Sequence, residues 1–254
     1  MAARAGKIAQ QTQSSVAISG NDNRWFLINA SPDLAQQIER TPGLRPRSDS
    51  PRNTPIAGVL LTNADLDHGL GLLLLRQRDT PLVVYATHET QAALDWIDMV
   101  LKPFCGVEWR TISRDFISLS RSVAFRAISL PNSIALQFRD QSSSASAVIA
   151  PAVGNVSNEL HDAVKTSDVV LFDGTFWKDD ELLAFRPRAG RAREMNHLPI
   201  ADGSLDFLRH SPARRKLYIH INNTNPILMP GSRERAEVER AGIEIACDGL
   251  EIAL

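Results

Sequence analysis

The stretch GVLLTNADLDHGLGLLLLR, Gly58 to Arg76, places Asn63, Asp65, Asp67 and His68 within six residues, between two apolar runs. Carboxylate and imidazole groups two residues apart on a tight loop can converge on one cation, and such donors suit zinc, iron or manganese. The competing reading is a helix start at which Asp65 or Asp67 accepts the free N–H groups of the first turn. Three further polar groups follow apolar segments. In VVLFDGTFWKDDE, the run Val169 to Phe172 delivers Asp173 into a turn, and an ionised carboxylate there needs a cation or several N–H donors to offset its desolvation. RKLYIHINNTNP carries His220, with Asn222, Asn223 and Asn225 crowding the turn behind it. Asparagines of this kind also stabilise turns, and a strand histidine can be an ordinary hydrogen-bonded core residue. AREMNHLP sets His197 in a polar loop after Arg191 and Arg193, where it could equally be a plain exposed histidine.

Strands and helices must bring these groups together. SSVAISG, RWFLINA, IAGVLLT and PLVVYAT read as four strands, the third so apolar that it belongs in the middle of a sheet. SPDLAQQIER reads as a helix with Ser31 as N-cap and Pro32 at its first position, its apolar stripe formed by Leu34 and Ile38. GLGLLLLR continues the polar loop as a packed helix, and HETQAALDWIDMVLKPF forms another that stops at Pro103. VEWRTIS, DFISLS, VAFRAISL and IALQFRD alternate like antiparallel or edge strands, and the low-complexity turn DQSSSASA follows. Strand and helix then alternate from AVIAPAVG to the end, through SNELHDAVKTS, DVVLFDG, ADGSLDFLRHS, RKLYIHI, GSRERAEVERAG and IEIACDG. Two β-rich halves with covering helices predict an α/β protein, an αββα sandwich, as one domain over 1–254. The polar groups fall at the carboxyl ends of the expected strands, where α/β sheets usually place their ligands.

Composition supports this and excludes other classes. A chain of 254 residues with 43% hydrophobic content should bury about 70–75% of its unfolded surface. Lys plus Arg number 28 against 29 Asp plus Glu, so the cationic field of a nucleic-acid or anionic-membrane binder is missing. The basic clusters RPRSDSPR (Arg45 to Arg52) and RPRAGRAR (Arg186 to Arg193) read as solvated loops. Cys105 and Cys247 have neither CxxC nor Cys/His spacing and are expected to be buried free thiols. With no signal-peptide pattern and no long apolar window, a cytoplasmic location without membrane or nucleic-acid partners is expected.

Taken in order, NxDxDH, strand plus Asp, loop His and strand plus His resemble the metallo-β-lactamase superfamily, in particular its tRNA 3′-processing branch. The phrases TQSSVAIS, INASPDL, DGTFWKDDE, HLP and IHINNTNPIL are closer still to the coenzyme PQQ synthesis protein B family, with similarity from about Gln11 to Leu254. The resemblance implies the metallo-β-lactamase-like αββα fold. It matches Asn63, Asp65, Asp67 and His68 to the metal loop, Asp173 to the acidic ligand, His197 to a catalytic helper and His220 to the last ligand.

Departures from the family pattern are informative. The loop's first two histidines are here Asn63 and Asp65, the middle segment is shortened to SLPNSIALQF with Asn132 as the only nearby replacement, and no cysteine precedes Cys105. The family's cysteine-rich zinc segment and its first strand are therefore expected to be missing, which would leave a sheet edge open to dimerisation. Asp67, His68, Asp173 and His220, with Asp65 as a further candidate, would hold a divalent metal, and this mixed set is closer to mononuclear iron or manganese than to dinuclear zinc.

The resemblance implies a role in making pyrroloquinoline quinone (PQQ), in concert with other PQQ biosynthesis proteins. Three activities follow: metal-dependent hydroxylation of a tyrosine-derived precursor with His197 moving protons, carriage of PQQ or its precursor, or metal-dependent hydrolysis. Asn63, Arg191, Arg193, Asn222, Asn223 and Asn225 would face the acidic quinone or precursor.

Overall fold

The computed structural model describes Gly6, Ile8, residues 10–20, Asp22, and residues 24–46 and 54–254. The basic cluster read at Arg45 to Arg52 lies outside the described residues from Arg47 onward. The chain divides into two compact units: Thr12–Ala127 with Asp140–Ser143, and Met1–Gln11 with Ile128–Arg139 and Ser144–Leu254.

The first unit is built on a five-stranded sheet in the order β1-β2-β3-β4-β5, formed by β1 (Val16–Ser19), β2 (Trp25–Ile28), β3 (Ile56–Leu60), β4 (Leu82–Ala86) and β5 (Val107–Thr111). β1 and β2 pair antiparallel, and the rest pair parallel. The apolar β3 is central, as its composition requires. β5, grouped by its alternation with antiparallel strands, instead runs parallel to β4 at the sheet edge. The core of this unit joins Leu27, Val59 and Val84 to Leu34, Leu72 and Ile97 from the helical segments.

Those segments differ from the sequence expectations in instructive ways. Helix α1 (Leu34–Arg40) starts later than SPD suggests: Asp33 takes the N-cap position without a capping side-chain bond. The Ser31 hydroxyl bonds Gln37 Oε1 at 3.2 Å instead of capping. After the polar loop only α2 (Leu66–Gly69) is α-helical, and Leu70–Leu75 tighten into a 3₁₀ helix. The single helix expected up to Pro103 is two, α3 (His88–Ala93), capped by Thr87, and α4 (Asp95–Leu101). Leu94 breaks them apart at φ −111°, ψ 12° and stays buried, so its packing outweighs helical continuity.

β6 (Ile117–Ser118) pairs antiparallel with β7 (Val123–Leu130), which runs on into the second unit. There β8 (Ser133–Asp140), β9 (Ser146–Ala150), β10 (Val169–Asp173), β11 (Arg215–Ile219) and β12 (Glu244–Ile245) continue a sheet ordered β12-β11-β10-β9-β8-β7-β6. β9 to β12 are mutually parallel, joined through α5 (Asn158–Lys165), α6 (Leu205–Arg209) and α7 (Arg233–Arg240). Parallel strands covered by crossover helices are buried on both faces, and every residue of β9 and β10 is buried. β7 and β8 are almost as buried, contrary to the edge character read from their alternation. α6 is preceded by a π-helical turn at Ile200–Ser204. Both cysteines are free, but Cys247 is exposed and Cys105 only partly buried, so the buried-thiol reading fails for Cys247. Among the described residues no helix is long and apolar enough to cross a membrane.

One close approach ties the polar loop of the first unit to its sheet. Gly71 N donates to Ala30 O at 2.8 Å, and a Cβ at Gly71 would lie 2.2 Å from Ser31 O and 2.7 Å from Ala30 O. Backbone atoms cannot rotate away as a side chain would. Gly71→Ala should therefore destabilise the protein by about 1–3 kcal/mol in urea denaturation; a change below about 0.5 kcal/mol would mean that the backbone yields freely here.

Candidate metal centre

In the second unit, β9, β10 and β11 end side by side, with Asp173 in register with Ile219 and Phe172 with Ala150. Their carboxyl ends are therefore followed by three adjacent turns. Asp173 is fully buried. Its Oδ2 accepts from Val153 N at 2.9 Å and from His197 Nδ1 at 2.7 Å, and its Oδ1 accepts from Thr175 N at 3.0 Å and Thr175 Oγ1 at 2.6 Å. Burial by itself raises this carboxyl; His197, His220 and the Thr175 hydroxyl outweigh it and hold the group below the usual carboxylate range.

The same contacts set the histidine tautomers. The Thr175 hydroxyl has one proton, and a carboxylate can only accept it, so the oxygen is left to accept from His220 Nδ1 at 2.7 Å. His197 Nδ1 likewise donates to Asp173. Both rings then carry their lone pair on Nε2, the arrangement of a metal-binding histidine oriented by its other nitrogen. The rings stack at 5.4 Å between centroids and 23° between planes, with Phe176 edge-on to His197 at 5.8 Å. Asp173, His197 and His220 each offer a ligand atom within 4.8 Å of the others. In donor type these groups suit a divalent cation.

His220 lies one residue beyond β11 at φ +52°, a left-handed conformation that costs a non-glycine residue energy and persists where neighbours impose it. Thr175 helps to impose it here: its hydroxyl oxygen accepts from the His220 ring Nδ1. Asn225 is buried and holds the strand ends from the other side: its Nδ2 donates to Gly174 O at 2.9 Å while its Oδ1 accepts from Ile227 N. Asn222 Nδ2 bonds Thr224 Oγ1 at 2.6 Å, and Asn223 is exposed. Arg191 and Arg193 are both tied to Asp179, by a 3.5 Å ion pair and a 3.0 Å backbone bond respectively. Asn132 occupies the β7–β8 turn, exposed at φ +57°.

The polar loop belongs to the first unit and forms its own network. His68 is fully buried and Asn63 nearly so, Asp67 is half-buried and Asp65 exposed. Asn63 Nδ2 donates to Asp65 Oδ2 at 2.6 Å, which turns Asn63 Oδ1 towards His68 Nδ1, also 2.6 Å away. His68 is thereby set as Nδ1–H, with its lone pair on Nε2. The helix-cap alternative fails for Asp65, which holds the N-cap position of α2 without a capping bond. Behind the histidine, Asn29, left-handed at φ +60°, is bonded to Thr62 N at 2.9 Å and to the Thr62 hydroxyl.

Sequence reasoning passed over Thr175, Asn29, Glu181 and the backbone donor of Val153. Glu181 accepts from Trp177 N at 2.6 Å and the Thr224 hydroxyl at 2.5 Å, and burial pushes its carboxyl up. The available signals were an asparagine ending the apolar strand WFLI and a threonine two residues after a buried aspartate, both too common to stand out.

The residues 24–221 match the Beta-lactamase superfamily domain. Coenzyme PQQ synthesis protein B of Cupriavidus taiwanensis is 40% identical over 269 aligned residues, covering 96% of this chain and 88% of that protein. The chain belongs to the coenzyme PQQ synthesis protein B family. The crystal structure of zinc-bound PqqB from Methylobacterium extorquens, 31% identical, superposes with a TM-score of 0.92 over 100% of this chain and 92% of that one. The fold is thus the metallo-β-lactamase fold expected from the sequence. The short form of human tRNase Z, 14% identical over 97% of this chain and 94% of its own, shares that fold with a TM-score of 0.66.

If Thr175 sets the ring of His220, Thr175→Val should weaken divalent-metal binding by about 10–100-fold in calorimetric titration, the usual effect of losing a group that orients a ligand. Thr175→Ser, which keeps the hydroxyl, should stay near the parent value. Equal losses in both variants would remove the hydroxyl from the explanation.

Proposed function

We propose that this family member acts in PQQ biosynthesis as a metal-dependent hydroxylase of a tyrosine-derived PQQ precursor. The observation that supports it is the convergence of Asp173, His197 and His220, with both Nδ1 atoms engaged so that both Nε2 atoms carry lone pairs. In this reading Asp173 and His220, together with Asp67 and His68 of the polar loop, are the metal ligands. Asp65 is the further candidate. The two sets belong to different units, and their sharing of one cation rests on the order of the family's sequence blocks. A bound iron or manganese would supply redox chemistry with dioxygen, whereas zinc would supply Lewis acidity.

The chain's own residues have defined parts in this proposal. His197 takes and returns a proton: its Nδ1 is braced on Asp173, and its Nε2 is the exchanging atom. Arg191 and Arg193, steadied by Asp179, together with Asn222 and Asn223, meet the acidic precursor. Asn63 and Asn225 position His68 and the β10 turn and act on substrate through them.

Metal analysis of protein purified without chelators tests this reading, which expects iron or manganese near one per chain; zinc alone would favour the hydrolytic activity instead. No metal, and none gained on reconstitution, would sink it. Asp67→Ala, His68→Ala, Asp173→Ala and His220→Ala should each lower metal content, with thermal melts confirming the fold. His197→Ala should keep its metal and lose turnover.

A carrier role for PQQ or its precursor has one observation in its favour: Asn63 and Asp65, where the resemblance expects histidines, bond one another as a self-contained network. Saturable binding when metal-free protein is titrated with the quinone would support it. No binding at micromolar concentrations would remove it.

A further inference from the structure

Glu181 belongs to a second chain of hydrogen bonds in the same unit as Asp173, one that the proposed chemistry leaves unused. It opens the short 3₁₀ helix Glu181–Ala184. Its Oε2 accepts from Trp177 N at 2.6 Å, and its Oε1 accepts from the Thr224 hydroxyl at 2.5 Å. Thr224 Oγ1 in turn accepts from Asn222 Nδ2 at 2.6 Å. The backbone of Asn222 is held at both ends: its N–H donates to Thr175 O at 3.1 Å, and its carbonyl accepts from Asn225 N at 2.9 Å. Asn222 thus stands two residues beyond His220 and is tied to Thr175, whose hydroxyl bonds the His220 ring. It is partly exposed, and its Oδ1 has no partner among the described residues.

Proton counting fixes which end of the Asn222 amide is left over. An ionised carboxylate only accepts, and Thr224 has a single hydroxyl proton to give it. The Thr224 oxygen is then an acceptor, which only the NH2 end of Asn222 can meet. The amide oxygen remains as a fixed, unfilled acceptor beside a proposed metal ligand. Polar groups built into a site discriminate strongly, because a ligand without the matching donor leaves them unpaired. An acceptor polarised through a hydroxyl by a carboxylate favours a positively charged donor. The tyrosine-derived precursor of the hydroxylase reading, on which this inference rests, offers such a donor in its amino group, while Arg191 and Arg193 suit its carboxylate. We propose that Asn222 Oδ1 accepts a hydrogen bond from the ammonium group of the substrate and so selects amino-acid substrates, with Thr224 and Glu181 as positioning residues that hold the amide in that orientation.

Calorimetric titration of the full chain with L-tyrosine and with its deaminated analogue hydroxyphenylpropanoate tests the proposal. Tyrosine should bind more tightly by about fivefold or more, and Asn222→Ala should abolish that preference by weakening tyrosine alone. Glu181 does not touch the ligand, yet Glu181→Gln should abolish the preference too. The new amide N–H donates to Thr224, the Thr224 proton then goes to Asn222 Oδ1, and the Asn222 amide turns its NH2 end outward. Thr224→Val should act likewise, whereas Thr224→Ser, which keeps the hydroxyl, should retain the preference. A purely structural role would weaken both ligands together and leave their ratio unchanged. Circular dichroism melts establish that each variant is folded, and Asn222→Ala with the two Thr224 variants carries the test if Glu181→Gln is not. Metal content is measured on the same samples: metal-bearing protein without the preference loses this proposal and keeps the hydroxylase reading, and metal-free protein with the preference does the reverse. Tyrosine that fails to bind at millimolar concentration, a parent protein with no preference, or a preference that survives Asn222→Ala or both Glu181→Gln and Thr224→Val would each overturn the proposal.

Discussion

A carboxylate with no exposure to water is the constraint around which the second unit is organised. An isolated charge cannot remain ionised in such a place without donors on every side, and Asp173 has four: two backbone N–H groups, a hydroxyl and an imidazole. Those donors come from the turn after β9, the turn after β10 and the His197 loop. Satisfying one buried group therefore fixes the relative positions of three chain segments far apart in sequence. The turn after β11 is added through Thr175, whose hydroxyl gives its proton to Asp173 and takes one from His220.

The same hydrogen bonds decide what the histidines can do. A ring whose Nδ1 donates to a fixed oxygen has only Nε2 left as a ligand or base, and its plane is held. His197 and His220 reach this state by different routes, one through the carboxylate directly and the other through the threonine. The difference divides their roles in the proposed chemistry. His197 is braced on the carboxylate itself, His220 on a hydroxyl that the carboxylate holds in place.

The parts read most reliably from sequence were those with strong periodicity or long apolar runs. The central position of IAGVLLT, the β-α alternation after Ser146 and the delivery of Asp173 by an apolar strand all follow from burial alone. Boundaries set by tertiary contacts were not readable. Ser31 is an excellent N-cap residue in isolation, but its hydroxyl is used by Gln37 and the helix begins later. Leu94 is a good helix former, yet its packing splits HETQAALDWIDMVL in two. The site followed the same division. Asp173, His197 and His220 stood out as charged or titratable groups at strand ends or in polar loops, while Thr175 and Asn29 matter only through partners distant in sequence.

The polar loop of the first unit shows how two side chains that differ from the superfamily pattern can still serve a metal-type histidine. An asparagine amide is ambiguous by itself, since either end can face a ring nitrogen. The Asp65 carboxylate removes the ambiguity by accepting only from the amide N–H, so the Asn63 oxygen must turn inward and take the proton of His68. Replacing histidines at these positions removes two potential ligands but leaves a pair that orients the remaining buried imidazole, the function Thr175 performs for His220. A loop reduced to a simple helix start would have used Asp65 to cap α2 and would have had no need to hold His68 in one tautomer. The hydrogen bonds of the loop therefore hold its one imidazole in a single orientation.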